Sequence, residues 1–305
     1  MTNKNEASQA NKLDLQQWLP EVCSIAYQAG RVIAKIYRQQ DDVAVETKSD
    51  GSPVTEADLA ADQLICKALQ ALTPNIPLVT EESVAKVPYE TRQAWSTYWL
   101  VDPLDGTKEF IAKTGEYSVN IALIHNHNPV LGLVYGPELG DLYFAYNGED
   151  ISQPSRVGKL ANLWPEDEVR NWPEELAHAI PIQVAPSPDV GFQKEGVFRV
   201  AVSRRHGGAL QHFLAQLGHS QMVRMGSALK ACLVAEGKAD IYPRFGPTSL
   251  WDTAASQCIV EAAGGAVLNA AGHSIEYVQT ESLLNPFFIA VSHKDYNWPA
   301  FPEVL

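Results

Sequence analysis

Residues 98–105 read Tyr-Trp-Leu-Val-Asp-Pro-Leu-Asp, so an unbroken apolar run leads straight into two carboxylates, Asp102 and Asp105. A strand that is apolar on consecutive positions has no solvated face. It belongs in a sheet covered on both sides, which sets aside a single half-exposed sheet and calls for a layered fold. Asp-Pro and Asp-Gly are turn formers, and an aspartate bonds readily to nearby backbone N–H groups, so a plain turn accounts for both acids. A turn, however, needs no doubly buried strand to aim it. Converging carboxylates repel, and one stays protonated unless a cation is shared. Hard cations such as Mg²⁺ take carboxylate and carbonyl oxygens, and Asp102, the Leu104 carbonyl and Asp105 could supply all of these from one tight turn.

The rest of the 305-residue chain fits such a layered fold. Residues 15–40 carry Trp18, Val22, Ile25, Ala29, Val32, Ile33 and Ile36 at helical spacing, and 56–72 read as a second helix ending before Thr73-Pro74. Strands are expected at 76–80, 99–101, 118–125, 129–135 and 141–146, the last three joined by short turns as an antiparallel meander. Residues 147–196, rich in Pro, Glu, Trp and Gly without a sustained period, are expected to form a surface excursion. From 197 onward strands and helices alternate: strands at 197–203, 221–225, 239–245, 266–269 and 287–292, helices at 208–217, 227–236 and 253–263. The predicted fold class is therefore an α+β N-terminal half (15–146) and an α/β C-terminal half (197–305), forming a layered sandwich with the active site in the cleft between them. Residues 1–14 are expected to be a mobile tail.

A net charge of −13 argues against nucleic-acid polymers and anionic membranes as partners. An anionic substrate would need something positive between itself and this protein, a part that bound divalent cations could fill. No run of 18 apolar residues occurs, so no transmembrane segment is expected, and the N-terminus lacks the apolar region of a secretory leader. Cys23, Cys66, Cys232 and Cys258 form no Cys-x-x-Cys pair and read as free thiols of a reducing, cytoplasmic protein; peripheral attachment to an inner membrane stays open.

Three further acids stand at element ends. Thr55 followed by Asp58 fits a helix capping box. Glu81 and Glu82 directly follow an apolar strand, as in a solvated loop. Asp252 stands where a helix N-cap is expected. Each has an ordinary structural reading alone. Together, Glu81, Asp102, Asp105 and Asp252 offer enough oxygen for two nearby divalent ions, the arrangement that serves in-line displacement at phosphorus. An EF-hand is excluded because Asp102-Pro103-Leu104-Asp105-Gly106 breaks its spacing. The phosphate-loop, dinucleotide and serine-hydrolase signatures are absent.

The segments Asp102–Phe110 (DPLDGTKEF), 80–83 (TEES) and 251–265 (WDTAASQCIVEAAGG) resemble the magnesium-dependent, lithium-sensitive inositol monophosphatase-like phosphatases. DGTKEF, GEYSVNIALI (115–124), VSRRH (202–206) and GSALK (226–230) are most similar to its CysQ-type 3′(2′),5′-bisphosphate nucleotidase branch. The resemblance implies Mg²⁺ as cofactor, with Glu81, Asp102 and the Leu104 carbonyl holding the first ion, Asp102, Asp105 and Asp252 the second, and Glu81 touching a weaker third. It implies that Asp58 and Thr107, with Glu81, activate the attacking water. Gly106, Thr107, Ser203, His206, Ser227, Lys230 and Asp252 would bind substrate, although an isolated histidine such as His206 is more often structural. The expected reaction removes the 3′-phosphate of adenosine 3′,5′-bisphosphate, and of 3′-phosphoadenylyl sulfate, in sulfur assimilation and nucleotide recycling, by a monomer or homodimer. The alternatives are an inositol or other sugar phosphatase of the same fold and a non-catalytic metal- or nucleotide-binding sensor. Segment 147–196 matches no motif of that branch.

Overall fold

A computed structural model describes residues 13–39, 45–47, 53–147, 155–167, 170–186, 196–204 and 207–302. Helix α1 (Leu15–Gln39) buries Leu15, Leu19, Val22, Cys23, Ala26, Ala29 and Ile33 along one face, at the three-to-four residue spacing of an amphipathic helix. Two short strands, β1 (Val45–Thr47) and β2 (Pro53–Thr55), pair antiparallel ahead of α2 (Glu56–Leu72). Then come β3 (Leu78–Thr80), the single turn α3 (Tyr89–Arg92), β4 (Thr97–Asp105) and α4 (Thr107–Ile111). The meander follows as β5 (Ser118–His125), β6 (Asn128–Gly136) and β7 (Asp141–Tyr146). Its sheet has the order β3-β4-β5-β6-β7-β8, antiparallel except for the β3/β4 pair.

The outermost strand, β8 (Arg156–Leu160), corrects the expectation for 147–196. Part of that segment is built into the core, because α5 (Trp172–Ala177) also buries Trp172 and Leu176 against the α1 side. The strand escaped notice because Arg-Val-Gly-Lys-Leu lacks the apolar density of its neighbours. The β1/β2 pair was missed for the same reason. Of the expected tail, Leu13 is buried in the core and residues 1–12 lie outside the described residues.

The C-terminal half runs β9 (Phe198–Val202), α6 (Gly208–Leu217), β10 (Ser220–Arg224), α7 (Leu229–Ala235), β11 (Ile241–Arg244), α8 (Leu250–Ala262), β12 (Ala266–Asn269) and β13 (Phe288–Val291). Its sheet has the order β10-β9-β11-β13-β12, with β10, β9 and β11 parallel and the rest antiparallel.

The layers explain the opening run. Trp99 and Val101 of β4 face the cluster with Leu19, Ile33, Ile65 and Leu69 of α1 and α2. Tyr98 and Leu100 face the opposite cluster, with Cys232 of α7 and Ala255 and Ile259 of α8. Helices α7 and α8 thus lie between the two sheets, and α6 covers the outer face of the second, where Phe213 and Leu214 meet Phe198 and Val200. The result is a layered α/β/α/β/α sandwich. Helix α8 sits very close on β6: a Cβ at Gly132 would lie 2.3 Å from the Ala255 carbonyl oxygen. Among the described residues no helix is long and apolar enough to cross a membrane. The four cysteines are free, three buried and Cys66 half-buried.

Candidate active site

Strand β4 runs through Asp105 rather than ending at Val101, and its last residues are irregular. Asp102 pairs with Asn120 and Asp105 with Ser118, so three steps on β4 oppose two on β5. That extra residue is a β-bulge. In a regular strand, residues three apart point to opposite faces; the bulge brings both carboxylates to one side. Gly106, at φ 93°, then turns the chain into α4 in a left-handed conformation that side chains disfavour. Parallel pairing of β3 with β4 sets Glu81 beside this end, its N–H donating to the Val101 carbonyl at 3.1 Å.

The other acids arrive on helices. Thr55 caps α2 and Asp58 completes its capping box, as expected. Asp252 is not the N-cap of α8, contrary to expectation. Ser249 is the cap and Asp252 closes the box three residues on, accepting from the Ser249 N–H at 2.9 Å. The same device therefore aims both helix-borne acids, each from a first helical turn.

One carboxylate oxygen each from Asp102, Asp105 and Asp252 lies within 4.8 Å of the others. Asp102 is buried, and its Oδ1 accepts from the Leu104 N–H at 3.0 Å. Asp105 Oδ2 accepts from the Ala228 N–H at 2.5 Å and from Asn120 Nδ2 at 3.3 Å. Burial, then the like charges of Glu81, Asp105, Asp252 and Asp58, hold the Asp102 carboxyl well above the ordinary aspartate range. Burial also raises Asp105, with Lys230, Asn120 and the Ala228 N–H opposing it. Asp252 is pushed up to about 8 by burial and then by Asp105. Hard oxygen donors crowded until they hold protons are a fit for a divalent cation, which would neutralise the charge that drives these shifts.

Asp58 and Thr107 stand beside the cluster. Asp58 Oδ2 accepts from the Thr55 N–H at 2.8 Å and the Thr55 hydroxyl at 2.6 Å, and the Thr107 hydroxyl donates to Oδ1 at 3.2 Å. Thr107 Oγ1 is also 3.4 Å from the Leu104 carbonyl oxygen. Burial raises the Asp58 pKa, with the Thr55 hydrogen bonds opposing it.

Asp105 and Asp252 open into a cleft of about 320 Å³ between the halves, lined also by Gly106, Ser203, Ser227 and Lys230 among others. Of the expected substrate residues, Gly106, Ser203, Ser227, Lys230 and Asp252 line this cleft, Thr107 stands beside the acid cluster instead, and His206 lies outside the described residues. Lys230 Nζ donates to the Ser227 carbonyl at 2.6 Å and sits 5.2 Å from the centre of the Tyr242 ring. Sequence reasoning missed Lys108, Arg204 and Arg244, which also line the cleft, and Asn120, which holds Asp105. Arg244 at the end of Ile-Tyr-Pro-Arg and Asn120 inside an apolar strand were the available signals: a charge or an amide where the pattern calls for neither.

A family model described as "Inositol monophosphatase family" matches residues 14–297. The 3′(2′),5′-bisphosphate nucleotidase CysQ of Escherichia coli (strain K12) is 42% identical over 272 residues, covering 88% of this chain and 98% of that protein. The nucleotidase CysQ of Haemophilus influenzae is 34% identical over 283 residues, 92% of this chain and 94% of that protein. Among solved structures, CysQ from Bacteroides thetaiotaomicron, described as a bacterial member of the inositol monophosphatase family, superposes with a TM-score of 0.76 at 36% identity over 93% of this chain and 100% of that one. The extragenic suppressor protein suhB of Bartonella henselae shares the fold, with a TM-score of 0.67 at 21% identity over 90% of this chain and 94% of that one.

Proposed function

The chain belongs to the inositol monophosphatase family, and we propose that it is a 3′(2′),5′-bisphosphate nucleotidase. It hydrolyses the 3′-phosphate of adenosine 3′,5′-bisphosphate to AMP and phosphate, and acts on 3′-phosphoadenylyl sulfate in the same way. The observation that carries this reading is the juxtaposition of two opposite charge sets. Asp102, Asp105 and Asp252 converge within 4.8 Å, and the cleft into which Asp105 and Asp252 open is lined with Lys108, Arg204, Lys230 and Arg244. A site that both collects cations and presents cations suits a substrate with more than one phosphate.

Asp102, Asp105, Asp252, Glu81 and the Leu104 carbonyl would hold the Mg²⁺ ions. When bound, such ions acidify water and neutralise charge on the reacting phosphate and the leaving 3′ oxygen. The remaining work falls to the chain. Thr107 Oγ1 accepts a hydrogen bond from the attacking water while its own proton points at Asp58 Oδ1. Asp58, raised by burial and fixed at its other oxygen by Thr55, accepts the proton as general base. Glu81 orients the water from the β3 side. Gly106 and Thr107, at the start of α4, present backbone N–H groups toward the reacting phosphate. Ser203, Ser227, Lys230 and Asp252 border the nucleotide.

The protein works as a cytoplasmic monomer or homodimer on a small nucleotide rather than a nucleic-acid polymer, in keeping with its free thiols and its charge of −13. Phosphate release measured with Mg²⁺ from adenosine 3′,5′-bisphosphate and from inositol 1-phosphate tests the reading. Faster turnover of the nucleotide is expected; faster turnover of the inositol ester would overturn it.

A further inference from the structure

The converging acids come from different halves: Asp102 and Asp105 from β4, Asp252 from the first turn of α8. Residues 275–285 run between these two elements and form neither helix nor strand. Both ends of this strap are nonetheless fastened. Near its start, the hydroxyl of Tyr98, on the same strand as Asp102, donates to the Tyr277 carbonyl at 2.8 Å. Arg92, the last residue of α3, donates from Nη1 to Gln279 Oε1 at 2.5 Å and from Nη2 to the Glu281 carbonyl at 3.3 Å. Tyr98, Tyr277, Arg92 and Gln279 are all buried.

The far end is tied to the start of α8. The Leu250 N–H donates to the Leu283 carbonyl at 2.8 Å, and the Asn285 N–H donates to the Thr248 carbonyl at 2.9 Å. Asn285 is buried, and its Nδ2 donates to the Ser249 carbonyl at 2.6 Å and to the Thr253 hydroxyl at 3.0 Å. Those two acceptors stand on either side of Asp252 in the chain, so the amide grips the one turn that carries this acid. Apolar packing at the tip does not account for the strap, because Leu284 beside Asn285 is 57% exposed. The capping box of Ser249 and Asp252 fixes the carboxylate relative to its own helix. It does nothing to fix that helix turn relative to β4. The strap does, since it is bonded to β4 through Tyr98 and to the turn through Asn285.

Ligands that reach one metal from separate elements have to be held within about 0.5 Å of the productive geometry, and groups behind the ligands supply that precision. We propose that Asn285 is a positioning residue for the metal site. It seats the first turn of α8 so that Asp252 faces Asp102 and Asp105, while Tyr98 and Arg92 anchor the strap that carries it. The inference rests on the reading of Asp252 as a Mg²⁺ ligand.

The test is Mg²⁺ binding to the metal-stripped protein, measured by calorimetry with the product, inorganic phosphate, present, and well below the melting temperature. Asn285→Leu keeps the side-chain size and loses the donors. Its Kd for Mg²⁺ should rise about tenfold, the low end for a group behind a metal ligand. Thr253→Val removes one acceptor, and Arg92→Met loosens only the anchored end; each should give a smaller rise. The Mg²⁺ concentration for half-maximal activity should rise in the same order. A merely structural role would lower the melting temperature and leave the Mg²⁺ Kd of the folded variants unchanged, and that result overturns the inference. If Asn285→Leu does not fold, Thr253→Val and Arg92→Met decide it in the same way. Asp252→Asn is the control for the underlying reading. If it binds Mg²⁺ as tightly as wild type, Asp252 is not a ligand and the inference falls with that reading. If it binds weakly while the strap variants match wild type, the inference fails alone.

Discussion

Thr107 Oγ1 lies 3.2 Å from Asp58 Oδ1, and this contact joins the turn after the bulged strand to the first turn of α2. The two residues are distant in sequence, yet each is fixed before they meet. Asp58 is locked by Thr55 through its other oxygen, and Thr107 opens α4 after the left-handed Gly106. The proton path proposed for this pair would therefore need no rearrangement when substrate arrives.

The first prediction separates the catalytic role of Asp58 from its capping role. Asp58→Asn keeps an oxygen that can accept from the Thr55 N–H but removes the base. Its kcat should fall about 10²–10⁴-fold, the usual range for a lost general base. Stability should fall by only about 1 kcal/mol, as for a weakened cap. Thr107→Val should reproduce the kcat loss with little change in melting. Steady-state kinetics and thermal melts of both variants check this. A kcat within a few-fold of wild type in either one contradicts the proposed proton path.

The second prediction concerns Asp102, which opposes itself in two states. In the proposed reading it would be the shared ligand of the Mg²⁺ ions; without metal it is a buried acid facing Glu81, Asp105, Asp252 and Asp58. Asp102→Asn should therefore lose activity by more than about 100-fold, since even residues behind metal ligands cost 10–100-fold. The same variant should melt higher than wild type in EDTA, because the buried carboxyl must take up a proton on folding near neutral pH, a cost the amide does not have. Raising Mg²⁺ should then lift the wild-type melting temperature more than that of the variant. A variant that melts below wild type in EDTA would show that Asp102 stabilises the metal-free fold.

Much of this architecture was legible in the sequence, and the exceptions share a cause. Helix α1, helix α2 and strands β5 and β7 have dense, periodic apolar patterns, and their observed bounds fall within a residue of the expected ones. Strand β8 was not legible, because only pairing with β7 makes Arg156–Leu160 a strand. The acid cluster was legible as a set of element ends, but its geometry depends on a bulge that no local pattern announces. The capping role of Asp252 slipped by three residues, since Ser249 and Asp252 are both good caps and only the Ser249 N–H contact distinguishes them. Arg204 and Glu116 meet only when the halves come together, so nothing in the sequence around either one points to the other.

The third prediction is a pH dependence with a definite sign. An aspartate in the unfolded chain releases its proton near pH 4, whereas native Asp252 keeps its proton up to about 8. The native state therefore binds more protons across that interval. The stability contributed by this group is fully present below about pH 4 and is lost as pH rises toward about 8, after which it levels off. Asp102, Asp105 and Asp58 are shifted in the same direction. In EDTA, wild type should lose melting temperature over this range relative to Asp252→Asn. Mg²⁺ needs ionised ligands, so its stabilising effect should grow over the same range. Parallel melts of the two proteins from about pH 5 to about pH 9 check the sign; a gap that narrows with rising pH would reverse it.

The fourth prediction tests how the sheet seats the helix that carries Asp252. At Gly132 of β6 an added Cβ would meet the Ala255 carbonyl oxygen at 2.3 Å and the Cys258 Cβ at 2.7 Å. Both neighbours belong to α8, and one is backbone, so relief has to come from moving the helix. Gly132→Ala should cost about 1–3 kcal/mol of stability, as overpacking of a close-packed core does. The displacement travels along a rigid helix to Asp252 in its first turn, so affinity for Mg²⁺ should weaken as well. Melting temperature and the Mg²⁺ concentration for half-maximal activity, measured for Gly132→Ala beside wild type, decide the matter. A Gly132→Ala protein with unchanged melting and unchanged Mg²⁺ dependence would mean that α8 is not seated by this contact.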